Sequence, residues 1–438
     1  MKKGLTWFLS LLMLSMSFIT ANAQQEDFPQ ISSDYVYMVD LDTNQVMVDE
    51  GSEEIIYPAS MTKMMTLLVA IENAPDLDQT MVLEAEVFEG LAEAHASVAG
   101  FSLGETVTVR DLLYGLFLPS GADASRALAL LEAGSEEAFV AMMNDKAAQL
   151  GMEDTHFVNT SGLHDRNHVT TLRDLEKLMR YALQNETFVQ IFQTRRYTAT
   201  PSMHPEGLVW ESTLFSRISS GEVDNDTILG GKTGYTNPAG QCLASIAEQD
   251  GTRYLLITAH APVSSTPYHI QDADLLYDYF FEHYTKTPVI SEGEVLLEDK
   301  VRYVLFSDTL TLSSEEAIVL NLPKDFDRSQ LQVKVTLTQP LEAPISEGQP
   351  IATLQLYRTD GEQPQLLLSR TLNSPRTYRR SALLVGIDQV MQWIRSHLAV
   401  TFLGALAVVL CLILLRDWHR EQRRYRTPRP AKKRRPHL

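Results

Sequence analysis

An uncharged run of 18 residues, Leu398 to Leu415, constrains the fold of this chain more than any other feature. A helix rises about 1.5 Å per residue, so this run is just long enough to cross a bilayer core of roughly 30 Å. A buried helix of a soluble protein is the alternative. However, ten Lys or Arg against two acidic residues follow between Arg416 and Leu438, and positive residues beside a span stay in the cytoplasm. We therefore predict a transmembrane helix at 397–415 and a basic cytoplasmic tail at 416–438.

The N-terminus has the three-part layout of a secretory signal peptide. A basic start precedes an apolar stretch from Leu5 to Ile19, and Ala21-Asn22-Ala23 supplies the small residues of a cleavage site. A retained membrane anchor is the alternative, but the apolar stretch is short for a span. We predict a signal peptide at 1–23, and hence a single-pass cell-membrane protein whose main part lies on the extracytoplasmic side.

Charge and cysteine content narrow the function classes further. The net charge is −19 although the tail is strongly basic, so the part upstream is acidic and nucleic acid is not expected as a partner. Only Cys242 and Cys411 are present, and the second lies inside the apolar span. The two cannot plausibly pair, so the exported part must be stable without a disulfide.

The first 285 residues have α+β character. Residues 34–49 alternate as two short strands around Asp42-Thr43-Asn44, a composition typical of a hairpin turn. Helical periodicity then dominates, and strand patterns resume at 240–247 and 253–259. Strands at both ends therefore enclose a helical middle, which predicts one α+β domain over 24–285.

Beyond residue 285 the pattern changes to short alternating strands with turn signals and no helical period. This predicts a small all-β domain at 286–376. Residues 377–396 resemble an irregular amphipathic juxtamembrane segment. The predicted strands lie at 301–305, 331–337, 351–357 and 366–368, with an Asp360-Gly361 turn between the last two.

A possible nucleophile and base occur together at the start of a helical run. Pro58 prevents the helix from beginning earlier, so Ser60 lies near its N-terminus, and Lys63 shares a helix face with it three positions on. A serine hydroxyl needs a base to take its proton, and lysine, with an ordinary pKa of about 10.4, needs burial or a neighbouring cation to serve as one. Taken alone, Ser-x-x-Lys is more often a helix cap and a solvated lysine.

Two later stretches strengthen the catalytic hypothesis. Ser120-Gly121 lies between two helical segments, where a second hydroxyl could relay a proton. Lys232-Thr233-Gly234 begins a strand, where glycine lets a substrate backbone approach closely. Lys232 would supply the neighbouring cation and Thr233 a donor for a carboxylate. Either stretch alone is commonly an ordinary turn.

Together these motifs resemble the penicillin-recognising serine D-alanyl-D-alanine carboxypeptidases, the low-molecular-mass penicillin-binding proteins, which carry Ser-x-x-Lys, Ser-x-Asn and Lys-Thr-Gly. The resemblance covers about residues 33–285. It extends to the blocks PASMTKMMT, GETVTVRDLLYGLFLPSGADAS, THFVNTSGLH and GGKTGYTNPAGQCLAS. It implies a β-lactamase/DD-peptidase-like α+β domain, an antiparallel sheet with a helical cluster, followed by a small all-β domain and a C-terminal transmembrane helix.

The resemblance also implies roles for individual residues. Ser60 would attack the terminal D-Ala-D-Ala bond of peptidoglycan stem peptides, with Lys63 as general base and Ser120 as a catalytic relay. The backbone N–H groups of Ser60 and Tyr235 would hold the oxyanion. Lys232, Thr233, Gly234 and Thr236 would bind the substrate with its terminal carboxylate. β-Lactam antibiotics would inhibit the enzyme, and neither a metal nor a cofactor is implied.

One departure and three alternatives bear on this hypothesis. Ala122 occupies the position where the family usually has asparagine, and this departure alone favours a non-catalytic wall-binding module on the same fold. The intact Ser60, Lys63, Ser120 and Lys232 argue against that module. A β-lactamase shares the three motifs, but no convincing extra glutamate occurs near 150–170. His164, Asp165 and His168 suggest a zinc peptidase, but they lack the usual metal-helix spacing and lie in a Gly/Asn loop.

Overall fold

The computed structural model describes residues 28–74, 76–221, 223, 225–306, 308–359 and 364–425, without the side chains of 401 and 423–425. The predicted signal peptide, the predicted Asp360-Gly361 turn and the tail beyond residue 425 lie outside the described residues. Two compact units are present. One extends to Pro288 and includes Val319–Asp327, and the other holds Val289–Ile318 and the chain from Arg328 onward.

Helices occupy the middle of the first unit and the C-terminal end of the chain. They are α1 (Thr62–Asn73), α2 (Val109–Phe117), α3 (Ala122–Ala133), α4 (Glu136–Gln149), α5 (Leu172–Ala182), α6 (Glu186–Gln193), α7 (Phe215–Ser219), α8 (Tyr268–His283) and α9 (Ala382–Tyr425).

Strands occur at both ends of the first unit and throughout the second. They are β1 (Tyr35–Asp40), β2 (Val46–Glu50), β3 (Thr80–Val82), β4 (Thr106–Thr108), β5 (Arg196–Ala199), β6 (Leu208–Glu211), β7 (Ile228–Thr236), β8 (Gly240–Gln249), β9 (Thr252–Ala261), β10 (Tyr284–Ile290), β11 (Val295–Lys300), β12 (Thr309–Ser313), β13 (Ile318–Pro323), β14 (Leu331–Leu337), β15 (Pro350–Arg358) and β16 (Gln365–Asn373).

A five-stranded antiparallel sheet of order β2-β1-β9-β8-β7 forms the centre of the first unit. Alternate residues of β1 face opposite sides, as the two-residue period of a strand requires. Tyr37 and Val39 pack into the core shared with the helical cluster, whereas Val36 and Met38 pack into a second core with α8. The sheet is therefore covered on both faces, and β7 forms one of its edges. The α+β prediction, with an antiparallel sheet and a helical cluster, is confirmed.

Part of the chain beyond residue 288 groups with this first unit. Asn321 is buried, and its Nδ2 donates to Asp40 Oδ2 at 2.9 Å. The Gln45 side chain completes the attachment, because its Nε2 donates to Asn321 O and its Oε1 accepts from Asn321 N, both at 2.9 Å. The boundary at 285/286 stays a prediction.

The second unit is all-β up to the start of α9. Strands β11 and β12 form a hairpin, and β14, β15 and β16 form a three-stranded sheet around a core that includes Leu310, Ile345 and Ile351. The strand predicted at 301–305 is wrong. Tyr303 has φ +64°, which interrupts an extended chain, and Arg302 makes only an isolated bridge to Glu342.

The residues predicted as an irregular juxtamembrane segment are helical from Ala382 onward. Leu383, Ile387, Val390 and Ile394 recur at helical spacing, which accounts for the difference. Helix α9 continues through the predicted span at 397–415, and its length and apolar composition make it a candidate membrane span.

Candidate active site

Ser60 lies in a single helical turn, Ala59–Met61, directly before α1. Ala59 adopts φ +46°, and Met61 N donates to Pro58 O at 3.1 Å, so the chain turns sharply at the predicted nucleophile. Two glycines enclose this turn. A Cβ on Gly162 would lie 1.8 Å from Ala59 O, and one on Gly234 would lie 3.2 Å from Ser60 N. Only glycine at 162 therefore allows its loop to pack this closely on the Ala59–Met61 turn. Glycine at 234 likewise lets strand β7 lie close to the backbone of Ser60.

Lys63 reaches Ser60 from the first turn of α1. Its Nζ lies 3.2 Å from Ser60 Oγ and donates to Ser161 O at 2.6 Å. The side chain is buried, and this burial lowers the pKa of the Lys63 amine to about 7, although the charge of Asp123 opposes the shift. A substantial fraction of Lys63 is therefore neutral near pH 7 and able to accept a proton.

Ser120 and Lys232 form a second polar pair beside the first. Ser120 lies between α2 and α3 with φ +64°, and Lys232 Nζ donates to its Oγ at 3.0 Å. Burial, and then the charge of Lys63, hold the pKa of Lys232 well below its usual range. Lys63 and Lys232, from two different predicted motifs, are therefore close enough for the charge of Lys63 to lower the pKa of Lys232.

The remaining predicted residues follow Lys232 along β7 but do not all face the same space. Thr233 Oγ1 lies 2.6 Å from Thr213 Oγ1, and Tyr235 is half exposed, with its hydroxyl donating to Asn237. Thr236 Oγ1 accepts from Ala239 N at 3.2 Å and so belongs to the β7–β8 turn. The structure therefore brings Thr233, Gly234 and Tyr235 to the cleft at Ser60, while the Thr236 hydroxyl is engaged in the turn.

This cleft has a volume of about 530 Å³, and Ser60, Ser120, Thr233, Gly234 and Tyr235 line it. Polar residues of the wall that were not predicted from the sequence include Arg217, Gln241 and His269. His269 Nδ1 lies 2.7 Å from Gln241 Oε1. Gln241 begins the QCLAS segment, four residues before Ser245, and pairs with Tyr235 across the sheet, a register that could have indicated it. No sequence pattern indicated Arg217 or His269.

Ala122 and Asp123 occupy the second motif after Ser120. Ala122 N donates to Ser97 O at 2.8 Å, and its methyl group is buried. The Asp123 carboxylate accepts from Ala99 N at 2.7 Å and from Gly100 N at 3.2 Å. Asp123 therefore holds the neighbouring loop and does not supply the amide that Ala122 lacks.

The histidines that suggested zinc have other partners. His168 is buried, with Nε2 2.7 Å from Thr62 Oγ1, and the His164 ring packs edge-on against Tyr57 with centroids 4.7 Å apart. In the described part of the chain, no group of three or more His, Cys, Asp or Glu side chains is placed to hold a metal ion.

Comparisons with known proteins agree with this architecture. Residues 20–262 match the family described as D-alanyl-D-alanine carboxypeptidase, and 284–370 match the family described as penicillin-binding protein 5, C-terminal domain. The D-alanyl-D-alanine carboxypeptidase DacF of Bacillus subtilis (strain 168) is 29% identical over 327 residues, which cover 74% of this chain and 81% of that protein. DacB2 of Mycobacterium tuberculosis is 34% identical over 253 residues, which cover 56% of this chain and 80% of that protein.

Among solved structures, penicillin binding protein 5 from Haemophilus influenzae has a TM-score of 0.66 at 22% identity and covers 80% of this chain and 99% of that chain. At this identity the likeness supports the fold alone. The predicted fold, a DD-peptidase domain followed by an all-β domain, is confirmed. The chain therefore belongs to the D-alanyl-D-alanine carboxypeptidase family, whose members are serine peptidases.

Proposed function

We propose that this D-alanyl-D-alanine carboxypeptidase removes the terminal D-alanine of peptidoglycan stem peptides through an acyl-Ser60 intermediate, and that penicillins inhibit it by acylating the same oxygen. The observation that carries the proposal is the 3.2 Å separation of Ser60 Oγ and Lys63 Nζ at a buried lysine. A hydroxyl beside a neutral amine is the pairing that activates serine for attack on a carbonyl.

In the first half-reaction, the neutral Lys63 amine takes the proton of Ser60. The Ser60 oxygen attacks the carbonyl carbon of the D-Ala-D-Ala bond, the carbon–nitrogen bond breaks, and D-alanine leaves with a proton delivered through Ser120. The position of Ser120 supports this relay, because Ser120 and Ser60 line the same cleft and Ser120 Oγ accepts from Lys232 Nζ at 3.0 Å. Water then attacks the acyl carbon and restores Ser60.

Substrate binding is assigned to the edge strand β7. The backbone N–H groups of Ser60 and Tyr235 would stabilise the oxyanion, and the closeness of Gly234 to Ser60 N supports this pairing. Lys232 and Thr233 would bind the terminal carboxylate. Thr236 would join them only if its hydroxyl left Ala239 N.

A non-catalytic penicillin-binding module is the second candidate, because Ala122 removes an amide that the family usually places in the cleft. Such a module would be acylated but would not turn over peptide. A β-lactamase on the same fold would instead hydrolyse penicillin rapidly. Measuring both D-alanine release and penicillin hydrolysis therefore distinguishes these two alternatives from a carboxypeptidase.

The test is D-alanine release from a peptide ending in D-Ala-D-Ala. We expect the protein to release D-alanine and Ser60→Ala to release none, because the substitution removes the attacking oxygen. Ser102→Ala, which removes a hydroxyl outside the cleft, is the control and should match the original protein. A folded protein that is acylated by penicillin yet releases no D-alanine would reject the carboxypeptidase in favour of the non-catalytic module.

We further propose that α9 anchors the protein in the cell membrane, with the catalytic unit on the extracytoplasmic side and the basic tail in the cytoplasm. The apolar composition of α9 and the ten positive residues from Arg416 onward support this orientation.

A further inference from the structure

A buried histidine connects helix α1 to the segment Val158–Gly162, here called the 158–162 loop. His168 Nδ1 accepts a hydrogen bond from Val158 N at 3.0 Å, and His168 Nε2 lies 2.7 Å from Thr62 Oγ1. A backbone N–H can only donate, so Nδ1 carries no proton, and in the neutral ring Nε2–H donates to the Thr62 hydroxyl. One imidazole therefore ties the residue next to Lys63 to the start of the loop.

The 158–162 loop carries the carbonyl that contacts the proposed base. Ser161 O accepts from Lys63 Nζ at 2.6 Å, and the preceding carbonyl, Thr160 O, accepts from Thr66 Oγ1 at 2.7 Å. Within the loop, Asn159 Oδ1 accepts from Gly162 N at 2.7 Å. The middle of the loop is also bound to α4, because Thr160 N and Oγ1 donate to Glu136 Oε1 at 3.0 and 2.7 Å. His168 binds the beginning of the loop to α1.

This carbonyl determines where the base points. A neutral amine has two N–H donors and one lone pair. With one N–H directed to Ser161 O, the lone pair of Lys63 can face Ser60 Oγ, 3.2 Å away. Loss of the carbonyl would free the amine to rotate and would admit water beside it.

We propose that His168 is a positioning residue, which holds the 158–162 loop on α1 so that the Ser161 carbonyl aims the Lys63 amine at Ser60. The inference rests on the proposed acyl-Ser60 mechanism and deepens it, since His168 touches neither the nucleophile nor the cleft. It acts through the 158–162 loop, whose Ser161 carbonyl contacts Lys63.

The charges around both groups are compatible with this role. Lys63 is affected by Asp123, whose charge raises the pKa of the amine, and Lys63 in turn lowers the pKa of Lys232. Burial lowers the pKa of His168 to about 4; Asp165 opposes this shift, whereas His156, Lys63 and His164 add to it. His168 is therefore neutral throughout the range in which Lys63 titrates, and changes of activity near pH 7 do not report on the imidazole.

The test is the pH dependence of the acylation rate with a fluorescent penicillin, measured on the full chain in detergent. For the original protein we expect the rate to rise with pH through a midpoint near 7, as Lys63 becomes neutral. His168→Leu removes both hydrogen bonds, so its rate at pH 7 should fall roughly tenfold to a hundredfold. Its midpoint should also move upward, because hydration returns Lys63 toward its ordinary pKa.

Conservative variants separate positioning from folding. The amide oxygen of His168→Asn can replace Nδ1 as the acceptor for Val158 N, so this variant should retain a midpoint and rate closer to the original than His168→Leu. Thr62→Val removes only the second hydrogen bond and should produce a smaller upward shift than His168→Leu. Mass spectrometry of the acylated protein corrects each rate for the folded fraction.

Two outcomes would overturn the inference for different reasons. If the original protein is acylated normally but the Leu and Asn variants keep its midpoint and differ only in folded fraction, His168 is structural and the proposed function stands. If the original protein forms no acyl-Ser60, the proposed function itself is overturned, and the role of His168 falls with it.

Discussion

The burial of Lys63 favours its proposed role as a base but lowers the stability of the fold. Its folded-state pKa of about 7 lies below the ordinary lysine value of about 10.4 expected in the unfolded chain. The unfolded state therefore binds more protons between these values, and folding becomes less favourable as the pH falls from about 10.4 to 7. Below pH 7 the penalty is complete and constant. The burial that provides a neutral base therefore also destabilises the fold.

Replacing this lysine by an apolar residue of similar length should consequently stabilise the protein. We expect Lys63→Met to raise the free energy of unfolding at pH 7 by about 2 kcal/mol, after allowance for the lost hydrogen bond to Ser161 O. The gain should shrink at pH 10, where the penalty is nearly absent. Chemical denaturation at the two pH values measures it, with the exposed Lys300→Met as the control that should change little. A variant less stable than the original at pH 7 would contradict the assignment.

At the scale of elements, the Ala59–Met61 turn depends on a close contact with Gly162 of the 158–162 loop. Gly162 has φ +81°, and a Cβ there would lie 1.8 Å from Ala59 O. Gly134, at the C-terminal end of α3, has a similar φ of +77° but no atom within 4 Å of such a Cβ. The two glycines thus have similar φ values but differ in whether an added Cβ would meet a neighbouring atom, so their alanine variants can be compared directly.

We expect Gly162→Ala to cost about 2–4 kcal/mol of stability, since it adds overpacking to backbone strain. It should also slow acylation roughly a hundredfold, because the nucleophile turn must move. Gly134→Ala should cost about 1 kcal/mol and leave acylation unchanged. Thermal unfolding and penicillin acylation of both variants measure the comparison. Equal losses of acylation in the two would show that the contact with Ala59 does not position the turn.

Helices and strands could be predicted from the sequence where the hydrophobic periodicity and the order of the motifs indicate the same element. Ser60, Lys63 and the stretch from Lys232 were recognisable because local spacing places each on a helix start or a strand. Arg217 and His269 were not, because they reach the cleft only through tertiary packing. The strand predicted at 301–305 failed because alternating side chains do not reveal a left-handed residue such as Tyr303. The spacing around Ala122 likewise does not reveal that the Asp123 carboxylate accepts hydrogen bonds from the backbone N–H groups of residues 99 and 100.

At the scale of the whole molecule, the net charge and the apolar run of α9 bear on how the protein is attached to the membrane. The chain has an acidic net charge of −19 despite its basic C-terminal end, and α9 carries the uncharged 18-residue run. A polar, acidic catalytic unit has no physical reason to bind an anionic bilayer by itself. Attachment to the membrane is therefore expected to reside in the apolar part of α9 and not in the catalytic unit.

Truncation of the chain tests this division. A chain ending at residue 396 lacks the apolar run, so we expect it in the soluble fraction with penicillin acylation unchanged. The matched control ends at residue 425, retains all of α9 and should stay in the membrane fraction after alkaline washing. Cell fractionation followed by labelling with fluorescent penicillin measures both properties in one experiment. If the shorter chain stays in the membrane fraction, the amphipathic residues 382–396 or another surface must bind the bilayer, and the uncharged run would not be the sole anchor.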